Sequence, residues 1–445
     1  MLYLPTEILE CIASWLDTQR DINSLVQTSR RFLPLSKFLY RRNAEESRGS
    51  ALGWAAAHQM EQTARKAIEA GARSGEALWI CARHGDEYMA RYLVSVEGME
   101  LNFKDDDIGA TPLLMAASCG YEYLVRLLLE TGGVEVDARD HNDRTALLSA
   151  AHAGHASIVK LLLDTGKTEI NLGGECSSKP LQWAIMEGRD SVVKTLLNSG
   201  KVELDLKDNL GRTPLSRAAY WGHESVVKVL LDRGKVDINS RDDYGVTPLL
   251  RAAKWGHAAI LQLLLESGEA KVDAKANDGH TALSLAAEGG HEEIVRLLLD
   301  WGNISVNATD YKFGRTALAW AAVQGFENIV GLLLQSGQAD INARAYDGST
   351  PLLLASRLGH LKVVELLLNT DHVDTDARAN DGSTPLSLAA EGGHDAVMKL
   401  VLNLGRVDLL AGESRLQSPS SPLSPLMSHD YDLITKRWSH IPGSY

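Results

Sequence analysis

The sequence predicts an all-α solenoid of repeated helix pairs joined by short hairpin tips, and three observations carry that expectation. Thr-Pro-Leu or a variant of it recurs with its first residue at Thr111, Thr145, Lys179, Thr213, Thr247, Thr281, Thr316, Thr350 and Thr384, at a spacing of 34 residues and once 35. Each recurrence opens a short apolar stretch ending at Gly, and a second stretch rich in Leu follows and ends at another Gly. The composition agrees, because 44% of the 445 residues are hydrophobic and 23% charged, which supplies apolar surface for a folded core.

The unit Asp242–Asn277 shows what each part does. Asp242 to Gly245 is turn chemistry and suits a β-hairpin tip. Thr247 is placed to cap the first helix, and Pro248 suits its opening turn, where a missing N–H is no loss. Leu249 begins the buried stripe. Ala252 and Ala253 are small enough for helices of successive units to approach closely, and Gly256 permits the positive φ of a tight turn. Ile260, Leu263 and Leu264 share one face of a second helix, and Gly268 is placed to end it as a left-handed cap. No such unit buries its own apolar face, so each depends on its neighbours in a quasi-one-dimensional array.

This pattern resembles the ankyrin repeat, with one residue more than the usual ~33. Nine units cover 103–411, and two degenerate ones, Ala51 to Gly71 and Ala77 to Asn102, occupy 50–102, about eleven in all. The unit at Lys179 departs most, since Asn171 to Ser178 replace the usual tip. After residue 411 the composition shifts to Ser and Pro, with Ser418-Pro419, Ser421-Pro422 and Ser424-Pro425, so 412–445 reads as a disordered tail.

Residues 1–43 follow another pattern. Leu4-Pro5-Thr6-Glu7-Ile8 leads through Ile12, Leu16-Asp17 and Leu25 to Arg30-Arg31-Phe32. Ile8, Ile12 and Leu16 fall one turn apart on one helical face. The run resembles an F-box, and the whole chain is similar to fungal F-box/ankyrin proteins. That resemblance implies that Leu4, Pro5, Ile8, Ile12 and Leu16 contact the Skp-type adaptor of a cullin ubiquitin ligase. The alternative is a helical cap over the apolar end of the first repeat.

Several kinds of chemistry are not indicated. The formal net charge of −13 disfavours direct binding to nucleic-acid phosphates. Cys11, Cys81, Cys119 and Cys176 include no close pair, which fits a reducing compartment and no metal clip. With no secretory start and no long apolar run, the expectation is a cytoplasmic or nuclear protein without membrane insertion. Gly166-Lys167-Thr168 ends a helix where a phosphate loop must begin one. His155, His223, His257, His291, His360 and His394 follow the turn glycines, but stacked helices stand ~8–10 Å apart, too far for shared metal coordination. They are expected to hydrogen-bond structurally. No catalytic constellation or cofactor site is indicated, so the chain reads as a non-enzyme.

A binding surface is indicated instead. Positions four, seven and eight after the anchor share a face of the first helix, the concave side of an ankyrin array. In two consecutive units they hold Arg217, Tyr220 and Trp221, then Arg251, Lys254 and Trp255, while the tips add Leu210 and Tyr244. Clusters of Tyr, Trp and Arg are common energetic centres of interfaces. The expected ligand is an acidic peptide with an apolar anchor; the alternative is that the fourth-position residues pack between repeats. Two functions compete: substrate receptor of a cullin-type ligase, or nuclear co-regulator that binds a transcription factor.

Overall fold

The computed structural model describes residues 50–57, 60–69, 75–172 and 179–404. The F-box-like segment with Leu4, Pro5, Ile8, Ile12 and Leu16, tip residues 173–178 and the tail 412–445 lie outside the described residues. All regular structure among the described residues is helical.

The chain divides into two units, 1–277 and 278–445. The first holds α1 (Ser50–Ala57), α2 (Glu61–Glu69), α3 (Gly75–His84), α4 (Glu87–Val94), α5 (Pro112–Cys119), α6 (Glu122–Glu130), α7 (Ala146–Ala153), α8 (Ala156–Asp164), α9 (Pro180–Met186), α10 (Asp190–Asn198), α11 (Pro214–Trp221), α12 (Glu224–Leu231), α13 (Pro248–Trp255) and α14 (Ala258–Glu266). The second holds α15 (Ala282–Gly289), α16 (Glu292–Trp301), α17 (Ala317–Gln324), α18 (Glu327–Gln335), α19 (Pro351–Leu358), α20 (Leu361–Leu368), α21 (Pro385–Glu391) and α22 (Asp395–Leu404). Within each unit the first helices of successive pairs pack on one another, and the second helices form a parallel layer behind them.

Local chemistry sets these elements. Thr213 and Thr247 are extended at the N-caps of α11 and α13, and their hydroxyls accept the N–H groups of Ser216 and Leu250, each at 3.3 Å. Lys179 offers no hydroxyl; there Gln182 Oε1 reaches back to the Lys179 N–H at 3.2 Å. Gly222 ends α11 in the left-handed region at φ 79°. A Cβ there would also lie 2.6 Å from His257 Cε1, so this position needs glycine twice over.

The interior is the expected alanine and leucine seam: Leu215, Ala218, Ala219, Ala252 and Ala253 are fully buried. The second helix buries a slightly different stripe. Ile260, Leu261, Leu264 and Leu265 are inside, whereas Leu263 is only half-buried. Helices on two sides of α14 widen its buried face beyond a single i, i+4 line. The tips form turns in place of the expected hairpin strands. Among the described tips, backbone hydrogen bonds tie one to the next, as from Asp243 N–H to Leu210 O at 3.1 Å and Asn277 N–H to Tyr244 O at 2.9 Å. A tip this short offers too few paired groups for a ladder.

Candidate functional site

The eight residues expected at the partner surface all belong to the unit ending at Asn277, and they sort into three environments. At the C-terminal ends of α11 and α13, Tyr220 lies between two indoles. Its ring centroid is 5.0 Å from Trp221 and 4.9 Å from Trp255, with interplanar angles of 87° and 72°. Edge-to-face contacts of this kind fix aromatic rings against one another, and the Arg251 guanidinium lies over the Tyr220 ring, 5.6 Å from its centroid. Trp221 remains 42% exposed and Trp255 40%, and Lys254 is exposed beside them. These four residues form one surface.

Arg217 and Arg251 behave differently and correct the expectation of a positively charged rim. Arg217 is only 8% exposed. Its Nε stands 3.1 Å from Asp208 Oδ2, and Arg212 Nε holds the same oxygen at 2.8 Å. Arg251 Nη2 donates to Asp242 Oδ2, an atom of a side chain with no exposure. Asp242 Oδ1 accepts the N–H groups of Tyr244 at 2.9 Å and Val246 at 2.8 Å, so the carboxylate closes its own tip and anchors the arginine. The fourth position thus locks helix to tip. In the second unit Trp320 takes the same position and donates Nε1–H to Asp310 Oδ2 at 3.1 Å.

The ion pairs and hydrogen bonds of these carboxylates to the first helix are structural links that the sequence reading, which saw Asp242 only as turn chemistry, missed. Their signal was the Asp five residues before the anchor Thr in the units of Thr213 and Thr247. Burial alone would raise the Asp208 carboxyl. Hydrogen bonds from the Arg212 and Leu210 N–H groups and the Arg212 charge outweigh that, and it ends below the usual carboxylate value. Burial and the neighbouring Arg212 charge lower the Arg217 guanidinium, against the pull of Asp208.

Leu210 and Tyr244 are exposed at the tips, as the surface reading needs. They stand at the opposite end of the first helices from the indoles, separated by about 12 Å at 1.5 Å per helical residue. The structure therefore gives one compact aromatic cluster and a separate row of tips.

The histidines are structural connectors. His257 Nε2 meets Tyr220 O at 3.1 Å, His223 Nε2 meets Met186 O at 2.8 Å and His155 Nε2 meets Ser118 O at 3.2 Å. A carbonyl only accepts, so each ring must carry its proton on Nε2. Each thereby satisfies a carbonyl left open at the end of the preceding first helix. His360 and His394 repeat the contact in the second unit, on Val323 O at 2.9 Å and Arg357 O at 3.1 Å. His257 thus ties its repeat to the helix turn that carries Tyr220 and Trp221. A cleft of about 390 Å³ between α12 and α14, lined by Leu231, Val236, Ile238 and Leu263 among others, contains none of the expected site residues.

The family model for ankyrin repeats matches residues 52–140, 124–208, 181–276, 269–345 and 339–410. The chain is an ankyrin-repeat protein. Its matched residues include both pairs before Thr111 and the whole of the aromatic cluster. A similar solved structure is the ankyrin repeat domain of Bcl-3, described as a unique member of the IkappaB protein family. It is 33% identical over 52% of this chain and 100% of that one, with a TM-score of 0.45. None of the curated proteins compared matches the chain. No helix among the described residues is long and apolar enough to cross a membrane. In ankyrin terms, the cluster sits on the first helices of two adjacent repeats, and each repeat brings one of its Trp rings.

Proposed function

We propose that this ankyrin-repeat scaffold is the substrate-recognition subunit of a cullin-type ubiquitin ligase, with its protein partner held at Tyr220, Trp221 and Trp255. The observation that supports the binding half is that cluster, in which two adjacent repeats place large rings in solvent although stacking requires only small residues nearby. Exposed rings fixed against one another present apolar area with little conformational freedom left to lose, which favours tight contacts. The ligase half rests on Leu4, Pro5, Ile8, Ile12 and Leu16 and on the resemblance that they carry. The chain itself contributes no chemistry in this reading.

Two variants of the full chain test the halves separately by affinity capture. Ile8→Asp with Ile12→Asp is expected to lose a Skp-type adaptor and keep the partner. Trp221→Ala with Trp255→Ala is expected to do the reverse. Unchanged adaptor capture by the first variant rules out the ligase role, and recovery of a transcription factor without any adaptor would favour the nuclear co-regulator.

A further inference from the structure

We infer that the cleft between α12 and α14 is a second docking site, and that it takes a lysine side chain from a basic segment of a protein partner. The cleft lies on second helices, apart from the aromatic cluster on the first helices, so it stands whether or not that cluster binds anything.

The cleft opens where one repeat departs from its neighbours. Thr131, Thr165, Ser199 and Ser267 follow α6, α8, α10 and α14, and each hydroxyl donates to the carbonyl three residues back at 2.6–2.7 Å. Arg233 holds that position after α12, which stops at Leu231 and is one residue shorter than those four helices. Its guanidinium reaches Asn198 at the end of α10. Since α12 packs between α10 and α14, that draws the charge away from the cleft. Two properties of the cleft identify its occupant. The wall is aliphatic, made by Leu231, Val236, Ile238 and Leu263. The rim is acidic: Asp232, Glu266 and Glu269 are exposed around it. Both helices also end there, so each adds the negative pole of its dipole, and α14 has no basic residue in its last turn. The one lining cation, Lys228, is held by Glu224. Lys235 and Lys271 stand on the flanking turns, yet across 224–238 and 262–273 six carboxylates face four cations, since Asp237 and Asp273 join Glu224, Asp232, Glu266 and Glu269. A side chain that is aliphatic along its stem and cationic at its tip matches both wall and rim. Carboxylates spread over two turns suit the rotatable donors of an ammonium better than the fixed fork of a guanidinium. The volume of about 390 Å³ stands at the low end of the ~300–1,000 Å³ of ligand pockets, room for a side chain of an extended segment.

The test uses the full chain with labelled isoleucine, leucine and valine methyl groups, followed by NMR. The probe is a synthetic pentapeptide with lysine at its centre, leucine on either side and alanine at its blocked ends. It is expected to shift the methyl signals of Leu231, Val236, Ile238 and Leu263 in a saturable way. The same peptide with norleucine for lysine keeps the stem and loses the charge, and should bind weaker by about threefold or more. Added salt should narrow that difference. Asp232→Asn with Glu269→Gln should weaken the lysine peptide by about threefold or more, and should leave the unfolding midpoint unchanged because both side chains are exposed. Trp221→Ala with Trp255→Ala should leave peptide binding as it was. Butylammonium, the free side-chain analogue, should bind roughly tenfold more weakly than the peptide, since it lacks the flanking segment. Unmoved methyl signals, equal affinity for the norleucine peptide, or binding that ignores Asp232 and Glu269 overturns the proposal. Binding lost with the two tryptophans overturns the separate site. Butylammonium binding as tightly as the peptide overturns the protein partner in favour of a small amine.

Discussion

A guanidinium buried against a carboxylate is withdrawn from any partner, and this decides the roles of Arg217 and Arg251. Removing Arg251 leaves the fully buried Asp242 carboxylate without its counter-charge. Arg251→Ala is therefore expected to lower the unfolding free energy by about 3 kcal/mol, measured by denaturant titration, with no change in the salt dependence of partner association. A salt-dependent association rate that shifts with the arginine would return it to the surface. Asp208 makes a pH prediction. Its folded-state value lies below the usual one, so its contribution to stability is present above about pH 4. That contribution is lost as pH falls through the folded value. The difference in denaturation midpoint between the unchanged chain and Asp208→Asn should thus be largest near neutrality and shrink below pH 4; a difference independent of pH contradicts the pairing.

At the scale of the element, the first helices that follow Thr111, Thr145, Thr213, Thr247, Thr281, Thr316, Thr350 and Thr384 each start on a hydroxyl cap and run into a glycine of positive φ. The helix α9 lacks the first, because Lys179 stands at the cap position while Gln182 already reaches back to its N–H. Lys179→Thr completes a capping box and should stabilise the chain by about 1 kcal/mol; calorimetry showing no rise in the transition would contradict that reading of the cap. Glycines at helix ends separate two effects. Gly222 and Gly234 both have positive φ, but only the Cβ of the first would meet a neighbour, His257, while the second opens onto space. Gly234→Ala is expected to cost about 1–2 kcal/mol for its conformation alone, and Gly222→Ala measurably more. Equal losses would show that the histidine contact adds nothing. Caps, turns and the small-residue seam were legible in the sequence because they are local: Thr247, Pro248 and Gly256 act within their own repeat. The second-helix stripe was less so, since Leu261 is buried by neighbours on two sides and periodicity marked Leu263 in its place.

For the whole molecule, family membership and the repeat spacing tell the same story, and within each of the two units every helix pair leans on the next. The candidate site was legible in part. Tyr220, Trp221 and Trp255 do meet, since equivalent positions of adjacent repeats must be neighbours. The burial of the arginines stood in the sequence only as the alternative to an exposed patch, because the choice depends on how the tip folds back over the helix, which residue spacing alone does not specify. This leaves a surface led by rings and not by charge. Its direct test is Trp221→Ala with Trp255→Ala, measured for unfolding and for partner affinity on the same preparation. The fold loses two edge contacts of ~0.5–1.5 kcal/mol each and the burial of the covered part of both indoles, so unfolding should fall by several kcal/mol while the array stays folded, whereas partner affinity should fall by about 2–4 kcal/mol. An array that stays folded and binds its partner as tightly as before, or one that loses most of its stability, would contradict the assignment of this cluster as the binding site.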